Sequence, residues 1–301
     1  MHDPASTALN GSVAGTGTGE PDASPSRPES SGMVRLRLDI SYDGTDFVGW
    51  ARQPGQRTVA GEIAAALGHL FAGFEDLTVA GRTDAGVHAI GQVAHVDVPA
   101  PAWRERSGDV LWRLRGILPP DVRVRAVTPV DAAFNARFSA LSRRYEYRVS
   151  DAVWGVEPLR RNDTLAWSRL LDVAAMQRAG ELLLGEHDFA AFCRKREGAT
   201  TIRAIQRLDW ERGPTGIVTA TVVADAFCHS MVRSLVGAIL AVGDGRRDTD
   251  WLRGLLTLGH RSGEVVVAPP HGLTLVEVAY PSDPADWAAR DRQTRRVRTL
   301  T

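Results

Sequence analysis

Lysine is all but absent from this chain: Lys195 is the single example, against 35 arginines. GC-rich coding yields the same bias, so the bias alone assigns no function. It does make almost every fixed cation a flat, forked guanidinium, the kind that matches phosphates and stacks on bases. Cysteine is nearly as rare. Cys193 and Cys228 form no C-x-x-C pair, which leads us to expect a reduced compartment and no structural disulfide. A zinc site is not expected either, because His88 and His95 stand seven apart on an expected loop and strand, with no cysteine cluster to complete them. No apolar run reaches the length of a bilayer crossing. The first residues carry neither the basic nor the apolar stretch of a secretory signal, so a cytoplasmic protein without membrane contact is expected. Net charge is also lacking, 36 basic residues balancing 36 acidic ones. The ends are uneven: residues 1–32 carry four acids and one arginine, residues 281–301 three acids and five arginines, which leaves the middle near +1. Bulk charge therefore does not mark a nucleic-acid binder.

What is present is enough apolar material for one large core or two smaller ones, 44% of 301 residues. Residues 1–32, mostly Gly, Ser, Thr, Ala and Pro, cannot offset their ordering entropy by burial and are expected to form a disordered tail. The glycines of Gly15–Glu20 follow no strand and open no helix, so they belong to that tail and not to a phosphate loop. Beyond it, Val34–Ser41 alternates with the period of a strand. Val59, Ile63, Leu67, Leu70 and Phe71 share one face of a helix that stops at Gly73. Two strands, a helix around Val110 and a further strand follow. The same order then repeats: a strand from Arg143, a helix over Trp167–Gly185, two strands across Gly213-Pro214-Thr215-Gly216, a helix from Cys228 and a closing strand ending at Tyr280. The expected class is α+β, with two ferredoxin-like β-α-β-β-α-β subdomains side by side over residues 33–130 and 143–280. Residues 131–142 link them, and 281–301 form a polar tail, at best one short helix.

Three features carry chemistry. The loop Gly81–His88, "GRTDAGVH", holds a single carboxylate, Asp84, beside Arg82 and between two glycines. Such an aspartate is a nucleophile, a general base, a metal ligand or a turn brace, and a neighbouring arginine favours its charged form. No second acid or histidine stands at convincing metal-ligand spacing. Tyr145 and Tyr147 share one face of a strand that starts with Arg143 and Arg144; tyrosines stack on bases, and the two arginines are candidate RNA contacts. Lastly, Met231–Val242 is apolar nearly all round yet contains Arg233. A guanidinium there either snorkels to the surface or finds a carboxylate.

These motifs, in order, resemble the tRNA pseudouridine synthases of the TruA type. The resemblance rests on "YDGTDFVGWARQPGQRTV" from Tyr42, "GRTDAGVHA" from Gly81, "FNARFSALSRRYEY" from Phe134, "FCHSMVRSLVG" from Phe227 and "APPHGLTLVEVAY" from Ala268. Ala51 and Asn135 depart from the residues common in the family, glutamine and histidine. The resemblance implies a pseudouridine synthase fold, no cofactor and no metal. It implies isomerisation of uridine to pseudouridine at positions 38–40 of the tRNA anticodon stem-loop, with the target base flipped out. It makes Asp84 the catalytic aspartate, Tyr145 the tyrosine that packs on the target base and assists proton transfer, and Arg233 the aspartate's partner. Arg82 is then the residue that fills the space left by the flipped base, and Leu273 lines the pocket. It further implies a homodimer whose two chains form one basic groove for tRNA. Two other readings stand beside it: a synthase of this type acting on another RNA or tRNA position, and a non-catalytic tRNA-binding protein on the same fold.

Overall fold

Alternation of apolar and polar residues builds the first strand. In β1 (Met33–Tyr42), Leu36, Leu38, Ile40 and Tyr42 are buried and the residues between them partly exposed, the pattern of a sheet with one face on a core. Thr58 opens α1 (Val59–Leu70); its side chain accepts from the Gly61 amide, and Val59, Ile63, Leu67 and Leu70 recur on the buried face. β2 (Glu75–Val79) and β3 (His88–Pro99) pair antiparallel. After the short helices α2 (Ala100–Arg106) and α3 (Val110–Ile117), β4 (Val122–Val130) pairs with the free side of β1. The strands of this half run β4-β1-β3-β2.

The structure, a computed structural model, describes residues 32–194 and 200–296. The expected N-terminal tail, Gly32 apart, and Lys195 lie outside the described residues. The second half continues through β5 (Ser142–Ser150), β6 (Leu165–Ala166), α4 (Val173–Glu181), β7 (Gly185–Asp188), β8 (Ile202–Arg212), β9 (Val218–Ala224), α5 (Met231–Gly243), α6 (Thr249–Leu255), β10 (Leu273–Ala279) and α7 (Ala285–Thr294). Its main strands run β10-β5-β9-β8, with β7 beyond β8 and β6 beside β5. Both halves thus arrange β-α-β-β-α-β units in the same order (fourth, first, third, second strand), which is ferredoxin-like and α+β. The two sets fuse into one sheet where β3 and β10 run parallel, His88 opposite Thr274 and Ala89 opposite Leu275. Gly91 allows this seam: a Cβ there would lie 1.9 Å from the Val276 carbonyl oxygen. Among the described residues no helix is long and apolar enough to cross a membrane.

Several expectations are corrected. The helix expected over Trp167–Gly185 is shorter, because Asp172 caps it by accepting from Ala175 N; before that, Leu171 N donates to Asp151 and Trp167 N to the Ser150 carbonyl, which holds the chain extended. Cys193 and Cys228, expected to stay apart, are disulfide-bonded with Cα atoms 5.6 Å apart. The intervening β8–β9 hairpin returns the chain to its starting point, so residues 35 apart meet without any local motif. The polar segment after residue 281 forms α7, and it packs. The Trp287 ring meets Phe134 edge-on at 4.9 Å, the Ser139 hydroxyl donates to the Trp287 carbonyl, and Arg290 Nε donates to the Ala140 carbonyl. The linker is thereby sandwiched between α7 and the sheet.

His95 holds the linker from the sheet side. Its Nδ1 accepts from the Ala136 amide at 3.1 Å, and its ring sits edge-on to Phe134. Burial above all, with the nearby Arg35 charge in support, pulls the imidazole from 6.5 down to about 4. The folded state therefore binds the proton more weakly than the unfolded chain. The contribution is complete above about pH 6.5 and is lost as pH falls through about 4. Unfolding midpoints measured from pH 7 to pH 4 should decline over this window. The decline should be shallower in His95→Gln, which keeps an acceptor and cannot charge.

Candidate active site

After β2 the chain leaves the sheet and returns through Gly81–Val87. Thr83 points inward, its hydroxyl 2.8 Å from that of Tyr42. Tyr42 also accepts from Gln92 Nε2, and burial pushes the Tyr42 hydroxyl up to about 12, so it stays protonated. The Thr83 carbonyl accepts from the Trp50 amide, and the Phe47 carbonyl accepts from Gly86 N, so the loop after β1 braces this one. With Thr83 fixed inward, Asp84 faces the other way, its side chain 22% exposed.

The Asp84 carboxylate meets groups from the second half. Arg233 Nη1 lies 3.2 Å from Oδ2 and the Ser230 hydroxyl donates to the same oxygen at 3.1 Å. His229 Nε2 lies 3.5 Å from Oδ1. Arg233 occupies the third position of α5 and does not snorkel. Only 18% of its side chain is exposed, and its Nε donates to the Ala268 carbonyl at 2.7 Å. The Ala268 amide donates in turn to the Arg233 carbonyl. Gly237 makes room for this segment, since a Cβ there would come within 1.8 Å of the Val266 carbonyl oxygen. The guanidinium is thus gripped by backbone on one side and offered to Asp84 on the other.

Tyr145, on β5, is buried edge-on to Phe227 with ring centroids 5.2 Å apart. Burial foremost, then the neighbouring Tyr42 and the Asp84 charge against the opposing pull of Arg143, holds its phenol well above the usual tyrosine range. Tyr147, on the same face, donates to the Pro269 carbonyl. Leu273 lies opposite Tyr147 in the β10–β5 register and is buried. Arg82 is exposed on the Asp84 loop.

Of the two arginines expected to contact RNA, one is turned inward and one lies at the surface. Arg143 is buried, and its guanidinium donates to the carbonyls of Asp225, Ala80 and Arg137. It ties the strand before the Asp84 loop to the linker and to the end of β9. Arg144 projects from the opposite sheet face, as strand alternation requires, and pairs with Glu146 and Glu277. Sequence reasoning also passed over His229 and Ser230. The signal was present in "FCHSMVR", two polar residues just ahead of an apolar helix, but nothing local says that they face Asp84. Among the described residues no group of three or more His, Cys, Asp or Glu side chains is placed to hold a metal ion.

Comparison with known proteins agrees with this architecture. A family model described as tRNA pseudouridine synthase matches residues 179–281. The chain is 60% identical over 270 residues to a protein of Frankia casuarinae named tRNA pseudouridine synthase A, spanning 89% of this chain and 97% of that one. Proteins of the same name from Streptomyces griseus and Mycobacterium leprae are 59% and 52% identical over 272 and 267 residues, spanning 89% and 85% of this chain and 95% and 93% of theirs. A solved Cbf5–Nop10–Gar1 complex is similar over 68% of this chain and 45% of that chain, at 13% identity and a TM-score of 0.29, too distant to add to these matches. The family match and the α+β architecture define a pseudouridine synthase, an isomerase. The chain belongs to the tRNA pseudouridine synthase A family.

Arg143 gives a test of the scaffold. Arg143→Lys keeps the charge but replaces the rigid fork with a point donor that cannot reach three separated carbonyls. A loss of about 2 kcal/mol is expected, read as a lower urea midpoint at unchanged slope.

Proposed function

We propose that this enzyme isomerises uridine to pseudouridine at positions 38–40 of the tRNA anticodon stem-loop, with the target base flipped out and Asp84 as nucleophile. The observation that carries the reading is the Asp84 carboxylate, salt-bridged to Arg233, partly exposed, and close enough to Tyr145 for its charge to act on that phenol. The reaction breaks the bond from ribose C1′ to uracil N1 and joins C1′ to C5; the C5 hydrogen leaves as a proton, and N1 takes up a proton in its place. Electrons and atoms balance without an outside redox partner. A carboxylate that attacks a carbon of the sugar or the base must be fixed in direction, which a paired guanidinium does.

Flipping a base out of a stem-loop costs a few kcal/mol of stacking and pairing, recovered in the pocket. Tyr145, whose phenol burial keeps protonated, stacks on the uracil and offers a hydrogen-bond donor. Leu273 lines the pocket from β10, and Arg82, exposed on the Asp84 loop, fills the gap in the stem. Several described surface arginines of one chain are paired with acids, as in Arg57–Asp121, Arg148–Glu146 and Arg212–Asp151. A cytoplasmic homodimer in which two chains line one groove supplies the positive surface that a single neutral chain lacks.

Release of label from tRNA carrying tritium at uridine C5 measures turnover directly. Asp84→Asn is expected to lower it by at least about a thousandfold, with tRNA affinity kept within a few-fold; full activity would remove Asp84 from the chemistry. Pseudouridine mapping in tRNA from cells lacking this gene should show loss confined to positions 38–40. Loss elsewhere, with those positions intact, would assign another target.

A further inference from the structure

Ser230 has an unusual backbone. Its φ of 61° and ψ of 9° lie in the left-handed region, and among the described residues only Asp76 shares a positive φ without being glycine. Glycine adopts this conformation without steric penalty, and a serine does not. The residue also stands at the N-cap of α5, where a serine side chain commonly accepts from the helix amides. This one makes no capping bond. Its hydroxyl instead donates to Asp84 Oδ2 at 3.1 Å, across 146 residues. A strained serine, in place of a relaxed glycine, is thus directed at the carboxylate and away from its own helix.

The neighbouring imidazole completes the arrangement. His229 Nδ1 lies 3.1 Å from Ser230 Oγ. A hydroxyl has one proton, and a carboxylate only accepts. With that proton given to Asp84, the Ser230 oxygen is the acceptor and His229 Nδ1 carries the hydrogen. The tautomer is set by this chain of donors, as second partners set it elsewhere. His229 Nε2 then stands 3.5 Å from Asp84 Oδ1, with 36% of the His229 side chain exposed.

We propose that Ser230 and His229 are positioning residues for Asp84, and that they select which carboxylate oxygen reacts. Oδ2 receives both Arg233 Nη1 and the Ser230 hydroxyl, so its lone pairs are engaged. Oδ1 receives no hydrogen bond from His229 Nε2, which carries no hydrogen in that tautomer, and is the oxygen directed at the substrate carbon. Arg233 alone leaves the carboxylate free to turn about its Cβ–Cγ bond and exchange the two oxygens. The serine, supported by His229, adds a second point of attachment from a different direction and fixes the plane. This inference rests on the reading of Asp84 as nucleophile.

The test compares three substitutions at one position, each compatible with the left-handed backbone. Ser230→Gly keeps the backbone and removes the donor; Ser230→Asn restores an N–H donor; Ser230→Asp places a second carboxylate against Asp84. Single-turnover rates should fall about 10- to 100-fold in Ser230→Gly and further in Ser230→Asp. Ser230→Asn should recover most of the glycine loss, and tRNA dissociation constants should stay within about twofold throughout. His229→Phe should lower the rate less than Ser230→Gly, and His229→Gln, which keeps a donor, less again. The thermal midpoint of Ser230→Gly should not drop, because glycine relaxes the backbone, so its rate loss is not unfolding. A glycine variant as fast as the parent, with Asp84→Asn inactive, overturns this inference and leaves the nucleophile in place. An active Asp84→Asn overturns the nucleophile itself.

Discussion

One ion pair between the two halves organises this molecule. Asp84 belongs to the first β-α-β-β-α-β unit and Arg233 to the second, and their side chains meet at 3.2 Å across 149 residues of chain. Neither charge is comfortable alone where it is mostly buried, since each has lost part of its hydration. Each is therefore fixed by more than the other. The guanidinium is held by the Ala268 carbonyl, and the carboxylate by the Ser230 hydroxyl. Segments from four places in the chain must converge for the pair to form: the loop after β1, the Asp84 loop, the start of α5 and the strap before β10.

The convergence is built into the sheet. A parallel β3–β10 contact of two residue pairs is short for a domain junction. It succeeds because Gly91 lets the Val276 carbonyl approach closer than any side chain would allow. Arg143 adds a second weld, one guanidinium drawing together carbonyls from Ala80, Arg137 and Asp225. Gly237 plays the same part at the strap, admitting Val266 against α5 so that Ala268 reaches Arg233. The site is precise because close backbone contacts, together with one fully bonded guanidinium, set the separation of the two halves.

What could be read in the residues follows the range of the forces involved. The alternation of β1 and the buried face of α1 are local, and both were legible. So was the oddity of Asp84, a charge between glycines, and of Arg233, a cation in an apolar helix. Each signals an unmet need that a fold must answer. What answered it was not legible: nothing near Asp84 names Ser230, and nothing near Cys193 names Cys228. Arg143 and Arg144 show the limit from the other side. Adjacent and chemically identical, they go to opposite faces of β5, one into carbonyls and one to glutamates. Their separate fates depend on strand neighbours brought in from β9 and β10. The shortened α4 failed for a nearer reason, since a capping aspartate at 172 outweighed the composition around it; α7 is the one short helix expected after residue 281, and Trp287 packs it.

The abundance of arginine reads differently once the pairs are placed. Arg35 is bidentate to Asp97, Arg57 to Asp121 and Arg212 to Asp151, and these guanidiniums serve the fold. A count of cations therefore overstates the charge offered to a polyanion. Arg82 and Arg52 are both exposed, one on the Asp84 loop and one on the loop that braces it. Charge placed at the mouth of a site steers a phosphate backbone toward it even when the whole molecule is neutral, because the field of nearby groups is screened less than that of distant ones. Position thus matters more than total for this protein, and the even balance of acids and bases is no obstacle to binding RNA.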